Sequence, residues 1–244
     1  PTPTPQAATT TPSRYSYLVR MAPEAYAEIR DSIFPIRVTE YLPDEYWIEL
    51  RPDEAAKLDS SLDFTPVKDP FQLFQRPGFS DPLSGLPPVE SALTQSTAAG
   101  DPALFLLQYV AQTKGEWSGE VEALGADIIG DDNDYRRVLV WATSKQADEL
   151  EGLDFVRWIG PFHPQYKVQE KLLSTTVPAF AVKAIFYAAD AAMLEQVKLA
   201  ILDEGGIITS SDEAISADDR VALDLVITPD IVRDIISIPQ AISM

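Results

Sequence analysis

The 244 residues carry 45% hydrophobic and 23% charged side chains, so a sizeable core can be buried and disorder throughout is excluded. Against 38 Asp and Glu stand 19 Lys and Arg, a net charge of −19 that argues against nucleic acid as a partner, because affinity for phosphate backbones comes mainly from clustered cations. With no Cys and a single His, His163, thiol catalysis, Cys-rich zinc sites and multi-His metal centres fall away, and no apolar run nears the roughly 18 residues of a membrane span.

Every segment beyond residue 13 is net acidic, which reads as a solvating surface spread over the chain and not as an acidic tail. Residues 1–13 form a Pro/Thr-rich leader with almost nothing to bury, expected to be extended and disordered. The tract begins on Pro1, as either a removed signal peptide or an arbitrary boundary would leave it.

The first predicted repeat fills 14–75: strand 14–21, helix 23–32, strands 36–42 and 45–50, helix 52–58 and a weak strand from Phe64. Residues 76–102 hold five of the 20 prolines and read as a linker with one short helical turn near 89–93. The second repeat, 103–173, repeats the order with strand 104–111, helix 115–124, strands 126–130 and 135–142, helix 144–152 and strand 154–160. The third, 178–244, has strand 179–187, helix 191–204 ending at Gly205-Gly206, strands 207–210 and 221–227, helix 229–236 and a last strand from Ala241, truncated at Met244.

One marker recurs in all three, a strand followed by a cap and a short helix: Tyr46-Trp47-Ile48-Glu49-Leu50-Arg51-Pro52-Asp53, Val138-Leu139-Val140-Trp141-Ala142-Thr143-Ser144-Lys145, and Leu223-Asp224-Leu225-Val226-Ile227-Thr228-Pro229-Asp230. Pro at the first helical position and Thr143 or Thr228 before it suit a helix start. Units of about 60 residues in this order are α+β, ferredoxin-like βαββαβ sandwiches, antiparallel four-stranded sheets with two helices on one face. The chain is thus predicted to hold three in tandem.

The stretch Leu153-Asp154-Phe155-Val156-Arg157-Trp158-Ile159-Gly160-Pro161-Phe162-His163-Pro164-Gln165-Tyr166-Lys167 resembles the end of an N-terminal, propeptide-like repeat of secreted subtilisin-like serine peptidases, and Leu124-Gly125-Ala126 resembles the helix-to-strand turn of those repeats. The likeness is strongest over 103–170, weaker over 178–244 and faint over 14–75. It implies a non-catalytic pro-region or accessory region, at the cell surface or outside the cell, that acts as folding chaperone, inhibitor or interaction module. Its implied partner is the catalytic domain, on which a sheet packs while a tail lies through the active-site cleft. The sequence given ends inside the strand before such a tail, so direct inhibition is carried onto no residue.

The runner-up is an extracellular structural, filament or surface-layer subunit that binds copies of itself, with strand addition at an open edge. An acylphosphatase-type enzyme shares the fold but needs a phosphate-cradling loop with a placed Arg, which neither Gln112-Thr113-Lys114 nor Ala188-Ala189-Asp190 offers. No catalytic, metal or cofactor site is expected: His163 reads as a turn anchor between prolines, and Asp131-Asp132-Asn133-Asp134 as a strand-to-strand turn without the spacing of a calcium loop.

The expected interaction residues lie on open sheet faces. If Leu223, Leu225 and Ile227 face the helices, period-2 alternation turns Val226 outward, and Leu139, Trp141 and Trp47 take the matched positions in the other repeats. Ile185 and Tyr187 on the first strand of the third repeat complete the set. Leu139 and Trp141 should share their face with Gln108, and so apolar a face needs a cover. Contact within the chain or between copies, with Trp47 as the matched residue, is favoured over a small ligand.

Overall fold

The computed structural model describes residues 16–67, 81–95, 100–132, 136–209 and 214–244, and the chain divides into Pro1–Pro87 and Pro88–Met244. The first unit holds β1 (Tyr17–Met21), α1 (Pro23–Ile29), β2 (Arg37–Leu42), β3 (Glu45–Leu50), α2 (Pro52–Ala55) and β4 (Phe64–Pro66). The sheet order is β2-β3-β1-β4 with every neighbour antiparallel. Val19 opposes Ile48, and these two build the core with Met21, Ile29, Ile33 and Leu50. Pro23 and Pro52 open their helices at positions where the missing N–H is of no consequence. The buried Glu54 carboxylate ties α2 to the loop before β2, accepting from the Phe34 amide and from the Lys57 ammonium, both at 2.9 Å. Those bonds, Lys57's first, hold its pKa below the ordinary carboxylate range.

The second unit contains two sandwiches. The earlier comprises β5 (Ala103–Tyr109), α3 (Gly115–Ala123), β6 (Asp127–Asp132), β7 (Arg137–Ala142), α4 (Ser144–Glu151) and β8 (Val156–Pro161), in sheet order β6-β7-β5-β8. On the helix side Tyr109 packs on Trp117, and Trp117 stacks on Phe155 with centroids 5.2 Å apart. Thr143 caps α4 through a reciprocal pair of bonds: its hydroxyl accepts from the Gln146 amide, and the Gln146 side chain accepts from the Thr143 amide at 2.7 Å. Gly160 leaves room for the Trp158 indole, whose ring would sit 2.3 Å from a Cβ there.

A 3-10 turn (Pro164–Lys167) and α5 (Glu170–Leu173) lead to the later sandwich: β9 (Phe180–Tyr187), α6 (Ala191–Asp203), β10 (Ile207–Ile208), β11 (Arg220–Ile227), α7 (Val232–Ser237) and β12 (Ala241–Ser243), in order β10-β11-β9-β12. Asp190 caps α6 by accepting from the Met193 amide, and Gly205 ends it with φ +86°. Thr228 differs from its expected role. A 3-10 turn (Pro229–Ile231) precedes α7, and the Thr228 hydroxyl donates to the Asp230 carboxylate instead of capping a helix.

All three repeats therefore share one antiparallel 2-3-1-4 strand order with helices between, the ferredoxin-like sandwich. The core of the third also takes in Leu93, fully buried, and Val168, which lie outside the repeat itself. Residues 88–95, inside the predicted linker, thus belong to the second unit, and Ser91–Leu93 forms a 3-10 turn within them. The Asx cluster falls partly at 133–135, outside the described residues, with Asp131 and Asp132 at the end of β6.

Candidate functional site on the open sheet faces

Strand register sets which side chains leave the helix side. In the second repeat Val138 and Val140 oppose Leu107 and Phe105 towards the helices, so Arg137, Leu139 and Trp141, with their partners Gln108, Leu106 and Leu104, form the open face. Leu104, Leu106, Gln108 and Trp141 are all buried, and Leu139 is half-buried. Gln108 sits among them with its side-chain oxygen accepting from the Arg157 guanidinium at 2.9 Å, which offsets part of the cost of an amide in an apolar place, while its Nε2 has no hydrogen-bond partner.

Trp141 is 7% exposed, and its ring meets that of Tyr187 of the third repeat at 5.2 Å. The Tyr187 hydroxyl donates to Asp127 at 2.7 Å, a side chain on the edge strand β6 of the second repeat. Burial first, then that bond and the charges of Asp127, Asp219 and Asp190, push the phenol well above the ordinary tyrosine range. One end of the third sheet's open face is in this way joined to the second repeat. The structure thus brings two of the sequence-predicted residues, Trp141 and Tyr187, into contact.

The rest of the third open face is laid out in rows. Beside Tyr187 come Ile185 and Ala222, both half-buried; then Lys183 and Asp224, paired at 3.0 Å; then Ala181, Val226 and Ile207 side by side across three strands. Ile207 is 59% exposed. Ile185 lies next to the Tyr187 contact, while Val226, two rows further along, lines a different part of the surface from Trp141 and Leu139. In the first unit Trp47 is buried on the open face with Leu18 and Glu49; its ring lies against Tyr41 at 5.6 Å and under the Arg20 guanidinium, and its indole N–H donates to Glu45 at 2.7 Å.

His163 precedes the 3-10 turn, and its Nδ1 accepts the Gln95 amide at 3.0 Å, which in the neutral ring puts the proton on Nε2. Burial, then the nearby Lys167, hold its pKa below the ordinary histidine range. Among the described residues no group of three or more His, Asp or Glu side chains is placed to hold a metal ion. Sequence reasoning missed Asp127, Leu93, Val168 and Lys167. An exposed Asp after a turn carries no signal of its partner, while the isolated apolar Leu93 and Val168 in non-periodic stretches were a signal of docking.

No protein-family model matches this chain, and no curated protein matches it.

Proposed function

We propose that the chain is a non-catalytic pro-region or accessory N-terminal region of a secreted subtilisin-like serine peptidase, which it serves as folding chaperone, inhibitor or docking module outside the cell or at its surface. Three consecutive βαββαβ sandwiches and the resemblance of 153–167 support this reading. The observation that carries it is the difference between two sheets. The open face of the second is buried within the chain, while that of the third keeps an apolar row, Ala181, Val226 and Ile207, beside the Lys183–Asp224 pair. A sheet that packs on a catalytic domain needs such a face, and here the third sheet supplies it. Among the described residues no helix is long and apolar enough to cross a membrane.

Reading the gene on both sides of this segment tests the proposal: the expected finding is a catalytic segment with Asp, His and Ser motifs. The chain should bind that domain, and Val226→Asp should weaken binding at least about tenfold, the effect of losing roughly 1.4 kcal/mol, while leaving the melting temperature of the chain unchanged. A gene without a peptidase, or undiminished binding by the variant, overturns the reading.

A second reading, a structural or filament subunit that binds copies of itself, is favoured by the first unit. Val38 opposes Ile48 on the helix side of edge strand β2, yet Val38 is exposed, as are Ile36 and Phe34 before it, because two short helices leave that edge uncovered, and Leu42, opposite Glu45 beyond a bulge, is exposed on the other face. Concentration-dependent sedimentation that Val38→Lys abolishes is the outcome this reading requires.

A further inference from the structure

The 3-10 turn between the second and third repeats ends on a lysine that the functional reading does not use. Lys167 is 3% exposed, and its ammonium nitrogen lies 5.9 Å from the centre of the Phe162 ring. No described carboxylate or hydrogen-bond acceptor pairs with it. The Phe162 ring is its one close partner, which compensates an ammonium only in part, and a buried lysine with no hydrogen-bond acceptor meets the remaining cost by giving up its proton.

Its backbone sits at a junction. The Met244 amide donates to the Lys167 carbonyl at 2.8 Å, and the Gln169 amide donates to the Met244 carbonyl at 3.4 Å. Between the two bonds Val168 enters the third core. This segment therefore occupies backbone groups just beyond β12, at the edge of the third sheet.

We infer that Lys167 is a proton-operated latch: uncharged, it keeps 167–169 seated against Met244, and uptake of a proton in that apolar setting loosens the junction and frees the end of the third sheet. The inference does not depend on the peptidase reading. Burial lowers the pKa of the amine from 10.5 to about 7. Other titratable groups do not mask it. His163 and Tyr166 on the same turn are both neutral between pH 7.5 and 8.5, since burial lowers the first and raises the second. β12 carries no ionisable side chain; on α7, Asp234 is exposed and Arg233 pairs with Glu90 at 3.4 Å; on α5, Glu170 and Lys171 are exposed.

The sign follows from linkage. Between about pH 7 and 10.5 the opened segment holds the proton and the closed one does not, so opening becomes more favourable as pH falls, by about tenfold per pH unit, and levels off below about pH 7. Hydrogen exchange of the Met244 and Gln169 amides in the full chain, corrected for intrinsic rates, reads this opening directly. The wild type should open about tenfold more per unit between pH 8.5 and 7.5, and Lys167→Met should remove the slope. A wild-type opening constant that is flat over this range, or an equal slope in Lys167→Met, overturns the latch. Should Lys167→Met fail to fold, the wild-type profile alone decides, because His163 titrates below this range.

Discussion

Trp141 shows how one side chain decides whether a sheet face is surface or interior. On an isolated sandwich its ring would be solvated; here it is covered by Tyr187, whose own hydroxyl is satisfied by Asp127. Trp141→Ala should cost about 3–5 kcal/mol in thermal or denaturant unfolding of the full chain, as for other large buried side chains. In an isolated second repeat, 103–173, the same substitution should cost much less, because its cover is missing. Tyr187→Phe keeps the ring contact and removes a bond to a charged acceptor, a loss of about 1.5–3 kcal/mol, which a double-mutant cycle with Asp127→Asn should recover as coupling. At His163 the folded pKa is depressed, so the unfolded chain binds its proton first. Stability should then decline as pH falls through the histidine range and level off once the folded imidazole is protonated, and His163→Gln should flatten that part of the melting profile.

At the scale of elements, three copies of one marker produce three different helix starts. Thr143 completes a reciprocal cap because residue 146 is Gln, long enough to reach back to the Thr143 amide. In the third repeat the matched position after Thr228 is Ile231, which cannot do so, and the Thr hydroxyl turns to Asp230. Thr143→Ala should therefore cost about 1 kcal/mol of unfolding free energy, within the usual range for caps, and Thr228→Ala less. The Gln146 amide also donates to the Gly125 and Leu124 carbonyls, joining α4 to the turn after α3. Three carbonyl or amide groups left by helix ends are satisfied by one side chain. In the first repeat α1 and α2 have seven and four residues, too few to span the sheet, and the exposure of Val38 on β2 and of Ile36 just before it is the result.

Across the whole molecule, the boundary between the two units, at Pro87 and Pro88, falls inside the proline-rich stretch 76–102, but residues just after it belong to a repeat core. Proline content marks 76–102 as one linker, yet Val89 and Leu93 pack into the third core, the Glu90 amide donates to Gln165 and the Glu90 carboxylate pairs with Arg233. These contacts bind the chain before the second repeat to elements after it, so the second and third repeats share a strap. Limited proteolysis should accordingly yield a stable C-terminal fragment whose first residue lies at or before Pro88, identified by mass; a fragment starting beyond Leu93 would contradict the docked strap. Leu93→Ala, which leaves a cavity in the third core, should destabilise that fragment by about 2–5 kcal/mol.

The repeat order, its three copies and the helix-facing Leu223, Leu225 and Ile227 of the last repeat were legible from residues alone, because period-2 and helical apolar patterns and the helix-opening prolines are local properties of the chain. Alternation also placed Trp47, Leu139, Trp141 and Val226 on open faces. What covers an open face is a question about residues far apart in sequence, and alternation carries no information on it: Tyr187 meets Trp141, Asp127 meets Tyr187, and Leu93 reaches a core formed by strands more than 80 residues later. The same holds for Lys167. In the sequence it is one cation after a tyrosine; only the tertiary packing that buries it beside Phe162 strips most of its water and changes its chemistry.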